Sequence, residues 1–181
     1  GPVKTKSAAQ TDQNGNFRFP FTTPGHYILL VRKAGRTETN RPIDLIAGRD
    51  GVIDPIILPA IDPVVTFLDK TTGGQSTNST GTLTFELAPG AASESFSFSV
   101  TEYLEGATLP GPLPELSQFT YAQFFTADSV KNRTEADTIS INPPPKLTIL
   151  NTAGFAPGTP IPTGLYKQDV ALWFDSGGFA T

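Results

Sequence analysis

Glycine and proline interrupt this chain more often than a helical protein would tolerate. The 181 residues include 17 glycines and 17 prolines, and only 17% of the residues are charged. Glycine is costly inside a helix, and proline lacks the backbone donor that a helix needs, so this composition favours short strands joined by turns. Apolar and polar residues alternate in several segments, most regularly in SFSFSVTEYL at 95–104, as in half-buried strands. We therefore predict an all-β protein.

The alternating segments and turn signals predict two tandem antiparallel β-sandwich domains. Residues 3–61 form the first domain and residues 62–181 the second. Asn14-Gly15 marks the first hairpin turn. The predicted strands are 3–11, 17–21, 26–33, 41–48 and 51–60, followed by 64–68, 82–87, 95–104, 119–127, 137–141 and 146–151. In 95–104 the apolar side chains of Phe96, Phe98, Val100 and Tyr103 are expected to line a buried face.

Two segments are expected to lie outside the strands. The polar stretch DKTTGGQSTNSTG at 69–81 has no large apolar side chain, which predicts one long exposed hairpin loop. The segment LPGPLPEL at 109–116 contains three prolines, which exclude a helix and a central strand.

Composition also excludes several classes of function. The formal net charge is −4 and no dense Lys/Arg cluster occurs, which argues against nucleic acid as a partner. The longest apolar runs, YILLV at 27–31 and PIILPAI at 55–61, are much shorter than the roughly 20 residues that span a bilayer, so we expect no membrane insertion. Because the chain has no cysteine, disulfides, zinc fingers and thiol chemistry are excluded.

The beginning of the chain resembles the carboxypeptidase regulatory-like domains, a transthyretin-like group of β-sandwiches. The positions that carry the resemblance are Thr11, Asp12, Gly15, Phe17, Phe19, Pro24, Gly25 and Tyr27. Such domains open with a strand that has a Gly-rich, Pro-containing turn, and there is no room for it before Val3. We therefore expect the first domain to be truncated at its amino end or completed by a strand from elsewhere.

The end of the chain is similar to the fibronectin-like plug domain of bacterial YD-repeat proteins and animal teneurins, which follows a transthyretin-like module. The matching positions are Asn151, Phe155, Gly158, Thr159, Pro160, Pro162, Gly164, Tyr166, Trp173 and Gly178. These are turn and packing residues, so the two resemblances imply an immunoglobulin- or transthyretin-like sandwich architecture rather than an activity.

His26 is the only histidine, and it raises the question of catalysis. On a strand it would point away from the face of its neighbours Gly25 and Tyr27, so we expect a surface position without a catalytic partner. A triad assembled by the fold stays open as an alternative, since triad members need not be close in sequence. No G-x-S-x-G nucleophile motif occurs. The expectation is a protein that is not an enzyme.

A calcium site is the one cofactor that the sequence leaves open. Asp12, Asn14 and Asn16 stand at alternate positions, as at the start of a calcium loop, and Asp50 and Asp54 follow later. An EF-type loop also needs a bidentate glutamate, and none stands at the expected distance after Asp12. A hairpin turn is the preferred interpretation, with no cofactor.

Aromatic residues near the carboxyl end are candidates for ligand binding. Trp173 and Tyr166, with Phe174 and Phe179, would stack on sugar rings if they share an exposed face. Core packing is the preferred interpretation, because large aromatic side chains in strands usually supply buried area.

Carboxylates, lysines and sequons give weaker signals. A hydrolase would need two of Glu86, Glu94, Glu102, Glu105 and Glu115 held roughly 5–10 Å apart, and an isopeptide crosslink would need one of Lys4, Lys6, Lys70 and Lys146 beside a buried acid. Two N-glycosylation sequons begin at Asn78 and Asn132, both in stretches expected to be exposed.

Together these patterns predict a structural module of a large secreted or cell-surface bacterial protein. It would act in spacing, docking or plugging, with other domains of the same polypeptide as partners. The alternative is an adhesin-type module that recognises a glycan or a host protein through residues 69–81 or the Trp173 region.

Overall fold

The computed structural model describes residues 7–19, 23–104, 107–113, 115, 120–129, 139–167 and 170–180. These residues contain ten strands and no helix, and every strand pair is antiparallel, which confirms the all-β prediction. The strands are β1 (Gly25–Val31), β2 (Thr39–Leu45), β3 (Thr66–Leu68), β4 (Gly74–Thr77), β5 (Leu83–Leu87), β6 (Phe96–Tyr103), β7 (Ala122–Ser129), β8 (Lys146–Ile149), β9 (Ile161–Lys167) and β10 (Leu172–Ala180). In the described part of the chain, no helix is long and apolar enough to cross a membrane.

Two three-stranded sheets enclose the main hydrophobic core. β6 lies between β3 and β7 in one sheet, and β5 lies between β4 and β8 in the other. Alternation along β5 and β6 turns six large apolar side chains inward: Leu83, Phe85, Leu87, Phe96, Phe98 and Val100. The ring centroids of Phe85 and Phe98 are 4.2 Å apart. Full burial of one such side chain is worth about 1.5–3 kcal/mol, so this contact between the sheets is a large part of what stabilises them.

The prediction for the buried face of 95–104 is confirmed at three of its four residues. Phe96, Phe98 and Val100 are in the core. Tyr103 is also buried, but the continuous register of β6 against β7 places it on the opposite face of the strand, together with Thr101. There it lies beside Thr37 and Arg41. The outer face of β6 is therefore covered near its end.

Each end of the chain contributes a separate two-stranded hairpin. β1 pairs with β2, and Tyr27 and Ile43 are directly opposite each other. β9 pairs with β10, with Tyr166 opposite Trp173, and the register shifts between Asp175 and Phe179. Gly177 lies within that irregularity at a φ of 72°, a conformation that favours glycine.

The prediction that residues 69–81 form one exposed loop is wrong. They contain β4, which pairs with β5, and Ser76 is buried. The carboxylate of Asp69 accepts hydrogen bonds from the backbone N–H groups of Thr71 and Thr72 at 2.7 and 3.0 Å, which closes a tight turn before the strand. β4 is at the edge of its sheet, where small polar side chains are tolerated.

Four other predicted strands are not formed by their described residues. Residues 7–11, 17–19 and 51–59 have no strand pairing. In the segment 137–141 only residues 139–141 are described, and Ile141 makes one isolated bridge to Ala92. Residues 20 and 21 lie outside the described residues. The segment 109–113 is neither helix nor strand, as its prolines predict.

Candidate functional site

The guanidinium of Arg41 connects two distant parts of the chain. Its Nη2 donates to the carbonyl oxygen of Leu109 at 2.8 Å, and its Nη1 lies 2.7 Å from the carbonyl oxygen of Pro110. The same Nη1 also lies 2.7 Å from Thr39 Oγ1 and 2.9 Å from the carbonyl oxygen of Asn40. Arg41 thus ties the start of β2 to the segment that follows β6.

The carbonyl oxygen of Pro110 is the centre of this arrangement. Besides Arg41, it accepts from Thr39 Oγ1 at 2.7 Å and from the backbone N–H of Asn40 at 3.1 Å. Proline offers no N–H of its own, and the carbonyls of an irregular segment need donors from elsewhere. Arg41 and its neighbours meet that need.

The β9–β10 hairpin contacts the same residues through the side chains of Tyr166 and Trp173. The hydroxyl of Tyr166 donates to the carbonyl oxygen of Asn40 at 3.3 Å, and the indole N–H of Trp173 donates to the carbonyl oxygen of Gly111 at 3.3 Å. The two rings contact each other with centroids 5.3 Å apart. A Cβ at position 111 would lie 2.5 Å from Cε2 of Tyr166, so any residue other than glycine would require the ring to shift. We call this set, namely Thr39, Asn40, Arg41, residues 109–111, Tyr166 and Trp173, the Arg41 junction.

The electrostatics of the Arg41 junction reflect partial removal from water. Burial lowers the pKa of Arg41 from its usual value, and burial raises the pKa of Tyr166 and of Tyr103. In the described part of the chain no carboxylate lies at ion-pair distance from Arg41. The guanidinium donates instead to neutral carbonyl and hydroxyl oxygens, a geometry suited to fixing chain segments together.

This geometry bears on the predicted sugar contacts of Trp173 and Tyr166. Both side chains are half-buried, and the polar group of each is hydrogen-bonded to backbone within the Arg41 junction. Sugar stacking stays a prediction for these two residues, but the structure uses them to hold the hairpin in place. The side chain of Phe179 lies outside the described ones.

The opposite face of the β9–β10 hairpin is exposed and apolar. Leu165, Leu172 and Phe174 are 62, 52 and 40% exposed, and the register places Leu165 directly opposite Phe174. The Lys167 ammonium lies 4.2 Å from the centroid of the Phe174 ring, a cation–π contact. Sequence reasoning grouped Phe174 with Trp173 and Tyr166, but alternation separates it from them.

The calcium candidates Asp12, Asn14 and Asn16 form a closed turn. Asp12 Oδ1 accepts from the backbone N–H groups of Asn14 and Asn16 at 2.9 and 2.8 Å, and Asp12 Oδ2 accepts from the Asn16 amide at 3.3 Å. Hydrogen bonds from Asn16 lower the pKa of Asp12. The turn predicted at Asn14-Gly15 is present, but residues 7–12 and 16–19 on either side of it form no strand, so the predicted hairpin is not formed by the described residues. Among the described residues no group of three His, Cys, Asp or Glu side chains could hold a metal ion.

His26 has a partner that sequence reasoning did not identify. Its Nδ1 lies 2.7 Å from Asp44 Oδ1, because the two residues are directly opposite on β1 and β2. Their side chains are 61 and 78% exposed. The triad alternative needs a buried carboxylate beside the histidine, and the carboxylate found here is exposed. The pair is a cross-strand contact of the β1–β2 hairpin.

Among the described residues, the carboxylates and lysines considered as catalytic or crosslinking groups have different surroundings. Glu86 pairs with Lys146 across β5 and β8 at 3.3 Å, on the surface. Glu102 accepts from Thr82 Oγ1 at 2.6 Å. Glu94 is buried and Lys70 is exposed. Lys4, Lys6 and Glu105 lie outside the described residues. Glu115 is exposed.

The prediction that the sequon at Asn78 is exposed is wrong. Asn78 is 5% exposed. Its Oδ1 accepts from the Leu83 N–H at 3.0 Å, and its Nδ2 donates to Thr82 Oγ1 at 2.8 Å. The amide thus closes the turn between β4 and β5. The other sequon, at Asn132, lies outside the described residues.

Comparisons of the chain with protein-family models, curated proteins and solved structures found no match. The resemblances at the two ends of the chain therefore depend on the motifs themselves, and inferences about function depend on the geometry of the site.

Sequence reasoning did not single out Arg41. The sequence feature that points to this site is the proline-rich segment 109–113, whose backbone carbonyl groups have few hydrogen-bond donors nearby in the sequence. A pattern of this kind predicts that donors must come from another part of the chain, but it does not identify which arginine supplies them.

Proposed function

We propose that this chain is a non-catalytic structural module that holds its terminal hairpins in fixed positions on a central pair of sheets. The observation that carries the proposal is the Arg41 junction, in which Arg41 and Trp173 both donate to the segment 109–111. A spacer or docking module needs such fixed geometry between its parts.

A second fixed connection lies at Asp62, where we expect one domain to meet the next. The backbone N–H of Asp62 donates to Thr101 Oγ1 on β6 at 2.8 Å. Its carboxylate accepts from the Ser79 hydroxyl at 2.6 Å and from the Val64 N–H at 2.9 Å. A flexible linker would lack these bonds, so they support a rigid connection.

The proposed setting is a large secreted or cell-surface bacterial protein, with residues 3–61 and 62–181 as transthyretin-like and plug-like β-sandwich domains. This part of the proposal is supported by the resemblances at the two ends of the chain. The proposed partners are other domains of the same polypeptide, which would dock on the exposed face of Leu165, Leu172 and Phe174.

That same face supports the second candidate, an adhesin-type binding module. Exposed aliphatic side chains opposite an aromatic ring suit a protein surface better than a glycan, since sugars favour a free aromatic face. In this candidate the partner is a protein of another cell rather than another domain.

The experiment that tests the structural proposal measures the distance between the β1–β2 hairpin and the central sheets. Because the chain has no cysteine, Ile28→Cys and Thr148→Cys introduce two unique sites for spin labels on exposed positions. We expect a narrow distance distribution in the native chain and a broader one in Arg41→Gln. Arg49→Gln is the matched control, because Arg49 is exposed and lies outside the junction.

A broad distribution in the native chain, equal to that of Arg41→Gln, would show that the hairpin is not held and would reject the rigid-spacer proposal. A narrow distribution that survives Arg41→Gln would show that other contacts fix the hairpin.

A further inference from the structure

A cleft at the turn of the β1–β2 hairpin has three basic side chains in its wall. Its volume is about 380 Å³, within the range of small-molecule sites. The side chains that distinguish it are three cations, one carboxylate and two apolar groups: Arg32, Lys33, Arg36, Glu38, Ala34 and Ile61.

The basic side chains of this cleft outnumber its acidic ones. In the described residues, no carboxylate lies at ion-pair distance from Arg32, Lys33 or Arg36. Arg32, Lys33 and Arg36 lie within five residues of one another. Against the single carboxylate of Glu38 in the same wall, they leave a local excess of positive charge, which attracts an anion.

Hydrogen bonds hold the backbone of this turn against residues 58–61. The Ile61 N–H donates to the Gly35 carbonyl at 3.1 Å, and the Thr37 N–H donates to the Pro59 carbonyl at 3.0 Å. Arg36 bridges to Ala60, and its Nη1 donates to the Leu58 carbonyl at 3.3 Å. A site that is ordered before binding loses less entropy when a ligand arrives.

We propose that this cleft binds a phosphate monoester of a small polyol. Arg32, Lys33 and Arg36 would bind the phosphate, since guanidinium groups match its oxygens with paired donors. Glu38 would accept hydrogen bonds from hydroxyl groups, and Ile61 would contact the carbon skeleton. Three cations and the one carboxylate of Glu38 leave the wall with an excess of positive charge, which a phosphate dianion balances better than a single carboxylate ligand does.

Binding is measured by titrating glycerol 3-phosphate into the ¹⁵N-labelled chain and following backbone amide shifts at about 150 mM salt, where screening weakens nonspecific attraction. We expect the shifts to concentrate at residues 32–38 and 61. Arg32→Gln with Lys33→Gln should weaken binding about tenfold or more, because two charge-assisted contacts are lost. Glu38→Gln should reduce the preference for glycerol 3-phosphate over inorganic phosphate.

The matched control is Arg49→Gln with Lys70→Gln, which removes the same charge from exposed positions elsewhere. If both double variants bind glycerol 3-phosphate equally weakly, or if the amide shifts spread over all basic residues, binding depends only on the net charge of the chain. Either result would overturn the proposal. Binding to phosphatidylglycerol vesicles without binding to glycerol 3-phosphate would overturn it too, since a membrane surface rather than a soluble ester would then be the partner. Native affinity for glycerol 3-phosphate in the folded Arg32→Gln, Lys33→Gln variant would also overturn the proposal.

Discussion

Arg41 and Pro110 are 69 residues apart in the sequence, yet the guanidinium of Arg41 lies 2.7 Å from the carbonyl oxygen of Pro110. This contact brings the β1–β2 hairpin to the outer face of β6, where Tyr103 is buried. Because Trp173 donates to the next residue, Gly111, the same short segment also receives the β9–β10 hairpin. A single irregular segment thus contacts both hairpins.

Replacing Arg41 with glutamine should destabilise the chain. Glutamine is shorter and neutral, so the carbonyl oxygens of Leu109 and Pro110 lose their charged donor. Hydrogen bonds to charged groups contribute about 1.5–3 kcal/mol when buried, and partial exposure reduces this, so we expect a loss of about 1–2 kcal/mol in the free energy of unfolding. Urea titration measures it, with Arg49→Gln as the control. Equal stability of the two variants would contradict the role given to Arg41.

Replacing Phe98 with alanine should be far more costly. Phe98 is 3% exposed and contacts Phe85 across the sheets and Phe96 on its own strand. Loss of a buried phenylalanine costs about 3–5 kcal/mol, and chemical denaturation measures the difference. Phe67→Ala is the matched control, because Phe67 is 57% exposed on β3 and its loss should change stability by less than about 0.5 kcal/mol. Similar losses in both variants would place the core elsewhere.

Strands that obey alternation could be predicted from the sequence, and β6 is the best example. The polar alternate residues of 95–104 leave only one way to bury Phe96, Phe98 and Val100. Tyr103 departs from that pattern, because a second layer of chain covers the outer face of β6 at that point. When a segment distant in the sequence buries a residue, the alternation of apolar and polar residues in the covered strand does not show it.

The polar strand β4 and the buried amide of Asn78 could not be predicted for a different reason. Sequence reasoning equates polarity with exposure, but Asn78 is buried because its amide hydrogen-bonds to the backbone of Leu83. Asp69 likewise closes a turn through backbone donors. A polar side chain that replaces backbone hydrogen bonds has the composition of a loop and the position of a core residue.

The carboxylate of Asp62 should make stability depend on pH. Burial alone would raise its pKa, but hydrogen bonds from Ser79 and Val64 outweigh burial and lower the pKa below its usual value of 3.8. The stabilising contribution is therefore fully present above pH 3.8 and is lost as the pH falls through the lowered pKa of the folded state. Urea titrations of the native chain and Asp62→Asn should give stability differences that narrow below that pH. A difference that is constant with pH would contradict the charged hydrogen bonds assigned to Asp62.

Replacing Gly111 with alanine should disturb the β9–β10 hairpin at one defined contact. The new Cβ would lie 2.5 Å from Cε2 of Tyr166, so the ring must move and its contact with Trp173 must change. Overpacking of this kind costs about 1–3 kcal/mol. Trp173 is the only tryptophan, so its fluorescence reports the change directly, and we expect a shift to longer wavelengths as the indole gains water.

A double-mutant cycle that combines Gly111→Ala with Tyr166→Ala separates the contact with the Tyr166 ring from any other effect of an alanine at position 111. Without the ring, the Cβ at position 111 no longer meets it, so Gly111→Ala should cost little in that background. The two substitutions should therefore be non-additive, with a coupling of about 1 kcal/mol or more. Additive losses, with the same emission shift in both backgrounds, would mean that Gly111 and Tyr166 do not pack together, and the position assigned to the carboxyl-terminal hairpin would be wrong.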